Sequence, residues 1–416
     1  MAVTAGAASA QTAPAQPVDM ESLVGVALKQ SPTLAASQQS AQAAAAKVTQ
    51  ARSAYFPQIS LNGGATETNS LVANQTSSLP FGYLNGSVSA QQLVFNFGKT
   101  SAAVQVAEAN AHASADQANV TAVDVAYGVR QAYLDWAQAY ELQKTADEQV
   151  RIAQDLTNAS QARLKAGVAA NIDLTQAQAT LAQAIATQIS ARTTTDESRR
   201  ALATAMGSNA PITGTPAFPA TAPIASSALA NLEQQALKAH PSYAAAVAQA
   251  QAADASALEA ERAGWPDVNL SGSYGTRVQQ AGPAPNWQAG LNLSMPLFTG
   301  FNLTAQTQSA QANARAAHAS ADNERLQILL GVDQAYLALV GAREKVPASE
   351  SSLKAARANL DQATGRYKAG VGSIIEVENA ETLLANAESD LARTRAAYYL
   401  AIAQLQRAVG TTGVTP

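Results

Sequence analysis

The chain has 416 residues, of which 47% are hydrophobic, largely through alanine, but only 13% are charged and 5% aromatic. Mean hydropathy is −0.07, and no run approaches the ~20 apolar residues of a membrane-spanning helix. The formal charge of −4, without a Lys/Arg cluster, argues against nucleic acid, and the absence of cysteine excludes disulfides, thiolate metal sites, cysteine nucleophiles and lipid attachment through an N-terminal cysteine.

Residues 2–10 read as the end of a secretory signal, with Ala8-Ser9-Ala10 as a cleavage site before Gln11. A merely flexible alanine-rich start would look similar. Residues 1–18 are expected to form a disordered leader, followed by a first repeat over 19–207. Ser31-Pro32 supplies an N-cap and a first-position proline for a helix running to about Ala54. Alternation of Ile59 and Leu61 with polar neighbours, and of Val88 and Ala90 with Ser87 and Ser89, predicts strands at about 58–70 and 84–97. A long helix is expected over 99–166, roughly 100 Å at ~1.5 Å per residue. Gly167 turns it into a returning helix over 172–206, since glycine adopts the left-handed conformation that ends a helix without steric cost. A proline-rich linker follows over 208–226.

The plan then repeats over 227–410, before a tail at 411–416. Ala27-Leu-Lys-Gln-Ser-Pro32 matches Ala236-Leu-Lys-Ala-His-Pro241 at an offset of 236 − 27 = 209. Beyond the strands the offset is 370 − 167 = 203, and Gly207 and Gly410 also obey it. The difference falls in a loop between strands, where changes in length are tolerated. The second copy predicts strands at about 267–278 and 287–298, a long helix over 302–369 and a returning helix over 374–409. One apolar and one polar face on ~10-residue strands suits a lipid-facing barrel with a wet lumen. A half-buried sheet in a soluble domain would alternate in the same way. Four strands cannot enclose a lumen, so a barrel would require several chains.

The long helices carry a heptad. Val332, Leu339, Val346, Leu353, Leu360 and Tyr367 are each followed three residues later by a small residue. Val377, Leu384, Leu391, Tyr398 and Leu405 repeat the pattern on the returning helix. A strict seven-residue repeat implies left-handed coiling of paired helices. The first copy departs from it at Gln143 and Thr157.

The order helix, two strands, long helix, glycine turn and shorter helix, occurring twice, resembles the TolC family of bacterial outer-membrane channel proteins (outer-membrane factors). Leu93-Val-Phe-Asn-Phe-Gly98 and Pro296-Leu-Phe-Thr-Gly300 at the strand-to-helix junctions carry the resemblance, with the paired Arg-x-Lys-Ala-Gly tips. It spans residues 19–410. The resemblance implies an α+β fold of two structural repeats. Four strands per chain would contribute to a trimeric twelve-stranded β-barrel, continued by a periplasmic barrel of coiled-coil helices. It further implies a homotrimer embedded in outer-membrane lipid. This trimer would act as the exit duct of a tripartite efflux or type I secretion system. Its partners would be a periplasmic adaptor and an ABC or RND-type inner-membrane pump. Neither enzymatic activity nor a cofactor or metal is implied.

By the same resemblance, Tyr367 bonds across to Arg395 on the returning helix and, with Glu376 and Asn379, forms the periplasmic gate. Asn379 stands where a second acid is expected, and Glu378 offers an alternative charge. The adaptor-docking tips would comprise Arg163, Lys165, Ala166, Gly167 and Val168, together with Arg366, Lys368, Ala369, Gly370 and Val371. Simpler roles are open to several of these residues. Tyr367 lies in the heptad series, and Glu376 sits in a first helical turn, where an acid suits the helix dipole. His112, His240 and His318 share no metal-ligand spacing. The competing reading is an exported structural coiled-coil protein, an adhesin or filament, which would explain the heptads but not the strands.

Overall fold

The computed structural model describes residues 17–68, 81–168, 170–219, 228–279 and 282–413. The signal-like residues 2–10, most of the loop between the first two strands and the linker's Pro223 lie outside them. The chain forms two compact units: one comprises 1–36, 119–241 and 325–416, the other 37–118 and 242–324.

The elements in chain order are β1 (Pro17–Val18), α1 (Met20–Gln30), α2 (Pro32–Arg52), β2 (Gln58–Thr68), β3 (Phe81–Phe95), α3 (Lys99–Lys165) and α4 (Asn171–Ala205). Then come β4 (Thr215–Pro216), α5 (Leu229–Ala239), α6 (Pro241–Arg262), β5 (Asp267–Gln279), β6 (Gly282–Ser294), α7 (Asn302–Lys368) and α8 (Ile374–Val409). Two expectations need correction. The leader is ordered at its end, because Pro17 and Val18 pair in parallel with Thr215 and Pro216 of the expected linker. Tyr133 holds that pairing: its hydroxyl donates to the Val18 carbonyl at 2.6 Å and accepts from the Ala217 amide at 3.1 Å. The last strand also starts and ends earlier than its alternation suggests, because pairing with β5 continues through Pro283 and Pro285.

In the first unit, Val24, Val129, Leu134, Trp136 and Leu202 form one core cluster. Beside it Arg130, only 2% exposed, makes two hydrogen bonds to Glu21 at 2.9 and 2.7 Å. The second core of this unit is the α7–α8 seam. Leu353, Leu360 and Tyr367 pack with Val377, Leu384 and Leu391, and the small residues Ala356, Ala363, Ala380 and Ala387 lie between them. Heptad residues are buried because a seven-residue apolar repeat keeps one stripe of each coiled helix on its partner. The departure at Thr157 is satisfied within the fold, since its hydroxyl lies 2.8 Å from the Ala153 carbonyl and 3.2 Å from that of Ala177 on α4.

The second unit holds a four-stranded antiparallel sheet in the order β2-β3-β5-β6. Registers align Leu61, Val88, Tyr274 and Trp287 in one row, and Gln92, Leu270 and Leu291 in another. Ser60, Ser89, Ser273 and Gln288 form a row of the opposite face. Side chains alternate between faces with period two, so sequence alternation becomes one apolar and one polar surface.

Candidate channel surfaces and hairpin tips

The sheet exposes its apolar face. Ile59, Leu61, Leu84, Val88, Leu270, Tyr274, Trp287 and Leu291 are all exposed, a pattern that calls for a covering surface such as lipid. On the other face Ser60 bonds Ser89 at 2.7 Å and Asn292 bonds Ser271 at 2.9 Å, which leaves a polar wall. Among the described residues β2 and β6 each pair on one side only. Their outer backbone groups need partners.

Aromatic residues gather at the sheet end where the strands meet the helices. Tyr55, Phe56, Phe95, Trp265, Phe298 and Phe301 are exposed there. Such a girdle suits the boundary between hydrocarbon and water. It escaped the sequence reading because these residues sit just outside or at the ends of the strands. The quoted junction motifs explain part of it. Phe97 and Gly98 are consecutive left-handed residues with φ of 53° and 83°, and Gly300 and Phe301 repeat the turn at 60° and 67°. The Phe97 ring lies against Phe95 and Trp265, with centroids 4.7 and 5.4 Å away.

The hairpin tips are built alike. Gly167 has φ 72° and Gly370 has φ 81°. The amides of Val168 and Val371 reach back to the carbonyls of Arg163 and Arg366, each at 3.0 Å, closing Schellman-type ends. A Cβ added to either glycine would touch nothing within 4 Å. The backbone angle alone therefore requires glycine. Val168 and Val371 are 64% and 66% exposed, and Ile172 and Ile375, equivalent at the 203 offset, are 73% and 62% exposed. Each tip thus offers an apolar pair next to its cations. The isoleucines were missed because they resemble seam residues.

The expected contact between Tyr367 and Arg395 does not form. Arg395 bonds Glu350 at 2.9 Å, and Arg357 bonds Glu388 at 3.1 Å. Facing residues in this antiparallel hairpin have numbers that sum to 745 (350 + 395, 357 + 388), so Tyr367 lies level with residue 378. Arg395 is 395 − 378 = 17 residues away, roughly 25 Å along the helix at ~1.5 Å per residue. Tyr367 instead joins the two hairpins. It is 3% exposed, its hydroxyl lies 3.1 Å from that of Ser160, and the Arg163 guanidinium stacks 4.6 Å from its ring centroid while donating to its carbonyl. Arg366, the twin of Arg163, stays within its own hairpin and pairs with Glu376 at 3.4 Å.

Glu376 and Asn379 are exposed on α8. Between them Glu378 accepts from the Thr180 hydroxyl at 2.9 Å and the Gln176 amide at 3.4 Å, tying α8 to α4. One turn further, burial first and the Glu378 charge second push the Glu381 carboxyl up to about 7. Nothing in the helical pattern marks Glu381, because it flanks the seam like any surface acid.

A family model described as outer membrane efflux protein matches residues 23–208 and again 232–411. The chain belongs to the outer membrane efflux protein family. Among its relatives, Protein CyaE of Bordetella pertussis is 31% identical over 92% of this chain and 80% of its own length. The outer membrane protein TolC of Vibrio cholerae is 27% identical over 88% of this chain and 84% of its own length. The crystal structure of the outer membrane protein VceC of Vibrio cholerae shares the fold, with a TM-score of 0.79 and 22% identity over 94% of this chain and 96% of that one. This efflux protein therefore has the TolC-like fold and sits in the outer membrane, with its helical part in the periplasm. A family of channels, not of enzymes, is its setting.

Proposed function

We propose that three copies of this chain form the exit duct of a tripartite efflux or type I secretion system. One observation carries the reading: a four-stranded sheet with an exposed apolar face and outer edges that are unpaired among the described residues. Adding a neighbouring copy at each edge satisfies both, and three copies of four strands give twelve, within the range of closed outer-membrane barrels. The polar serine and asparagine face then lines the water-filled side. The helices of the three chains continue the passage through the periplasm.

The tips dock a periplasmic adaptor, which joins the duct to an ABC or RND-type pump. Support comes from the exposed pairs Val168 with Ile172 and Val371 with Ile375, each beside Lys165 or Lys368. The gate lies at the same end and consists of Tyr367 held by Ser160 and Arg163, with Glu376 and Asn379 exposed nearby. Arg395, five turns away from Tyr367 and engaged by Glu350, takes no part in it.

Native mass spectrometry of the purified protein should give a trimer, and planar bilayers should show single-channel steps. A stable monomer without conductance would sink the proposal. In cells, a photoreactive residue at Val168 or Val371 should capture an adaptor. Crosslinks to the pump alone would remove the docking role.

A further inference from the structure

Between α3, α4 and α8, starting about two turns from the hairpin tips, lies a cleft of about 420 Å³. Small-molecule sites span roughly 300–1,000 Å³. Ile152, Ala184 and Leu384 form its apolar part, and Gln183 and Thr180 supply an amide and a hydroxyl. Among the described residues, no lysine or arginine lines it, while three carboxylates do: Glu148, Glu381 and Glu388. Two of the three are engaged. Glu148 holds Arg151 in hydrogen bonds of 2.9 and 2.5 Å, and Glu388 takes Arg357 at 3.1 Å. Glu381 stands apart, with its Oε1 buried and without a hydrogen-bond partner. A buried carboxyl oxygen left unpaired carries its full desolvation cost, and a cation entering the cleft offsets that cost.

We infer that this cleft binds a small organic cation, an amine whose N–H group is received by Glu381 while its apolar body lies on Ile152, Ala184 and Leu384. Every residue lining the cleft belongs to one chain, so the site is complete without a second copy. The groups facing Glu381 favour the same occupant. Glu378 and Glu388 come from its own helix and Glu148 from α3, whereas α4 contributes Gln176, Thr180 and Gln183 without charge. With its carboxyl pushed up to about 7, Glu381 must lose its proton to receive the amine. Binding therefore strengthens as pH rises.

The test is calorimetric titration of the full-length protein in nanodiscs with 1-naphthylmethylamine, and with 1-naphthylmethanol as the uncharged counterpart. The amine should bind saturably and the alcohol much more weakly. Between pH 8 and pH 6 the ionised fraction of Glu381 falls about 10-fold, so Kd should rise about 10-fold. Glu381→Gln should raise Kd about 10-fold at pH 8 and flatten the pH profile. Ala184→Leu, which fills the cleft and leaves the carboxyl in place, should also weaken binding, so a folding defect in the Gln variant cannot mask the result. Absence of saturable heat, an alcohol that binds as tightly as the amine, or a Kd indifferent to both substitutions would overturn the inference.

Discussion

The returning helix α8 buries eleven of its 36 residues, from Ile374 to Val409, whereas α4 buries four of 35: Ala177, Thr195, Leu202 and Ala203. Both helices descend from one plan, and Leu384 of α8 is equivalent to Leu181 of α4 (384 − 203 = 181). Leu384 is buried; Leu181 is partly exposed. The second hairpin closes on itself through a leucine and valine stripe. The first relies on hydroxyl-to-carbonyl bonds at Thr157 and Thr195 and leaves Ile172, Ile185 and Ile189 exposed. A second contrast lies in the long helices, where Arg130 has Asp333 as its equivalent (130 + 203 = 333). One copy places a buried guanidinium on Glu21, and the other sets Asp333 beside Glu233, whose pKa is raised by burial first and by the Asp333 carboxyl second. The copies thus share geometry and differ in what holds it.

The widest gap between the hairpins should come from the seam itself. Leu384→Ala should cost about 3 to 4 kcal/mol, and Leu181→Ala less than half of that, in denaturant unfolding of the purified protein. Equal losses would erase the distinction drawn above. Next, Glu21→Ala strips the buried Arg130 of its carboxylate and should cost about 3 kcal/mol. Asp333→Asn, at the corresponding place in the other repeat, should change stability by less than about 1 kcal/mol; a loss as large as that of Glu21→Ala would show that the two sites are alike after all.

A smaller effect is expected where the hairpins meet. Tyr367→Phe keeps the ring under Arg163 but removes the bond to Ser160, about 1 kcal/mol. Single-channel conductance should rise, and Ser160→Ala should reproduce the rise while Arg395→Ser does not. A separate effect concerns pH. A carboxyl raised from 4.5 to about 7 favours the folded state when protonated, so its contribution is full below about 4.5 and is lost as pH rises through about 7. Thermal melts should show the wild type losing stability between pH 5 and pH 8, with a shallower loss in Glu381→Gln. Parallel pH profiles would exclude Glu381 as the source.

Periodic features were legible in the sequence because they follow from chain geometry. The duplication, the heptad on α7 and α8, the two glycine turns and the alternating strands all depend on neighbours a few residues apart. Contacts between hairpins were not legible. Ser160 and Tyr367 are separated by 207 residues, and nothing local tells which arginine will meet the tyrosine: Arg163 does, Arg366 turns to Glu376, and Arg395 is held by Glu350. Family resemblance paired Tyr367 with Arg395, whereas the fold pairs it with Ser160 and Arg163. Pro283 and Pro285 misled in another way. Proline discourages a strand assignment, yet β5 supplies enough partners to carry β6 through both.

Those two prolines bear on the life of the chain before assembly. Among the described residues a single copy displays two unpaired strand edges, and such edges invite indiscriminate cross-β association. On β6 Pro283 and Pro285 lack amide donors, so that stretch offers fewer groups to an incoming strand than the run from Asn286 to Ser294. In the proposed trimer, pairing of one copy with the next would therefore favour the half of β6 nearest the aromatic girdle. The same omission that makes the strand hard to find shields the orphan subunit from sticking to the wrong neighbour.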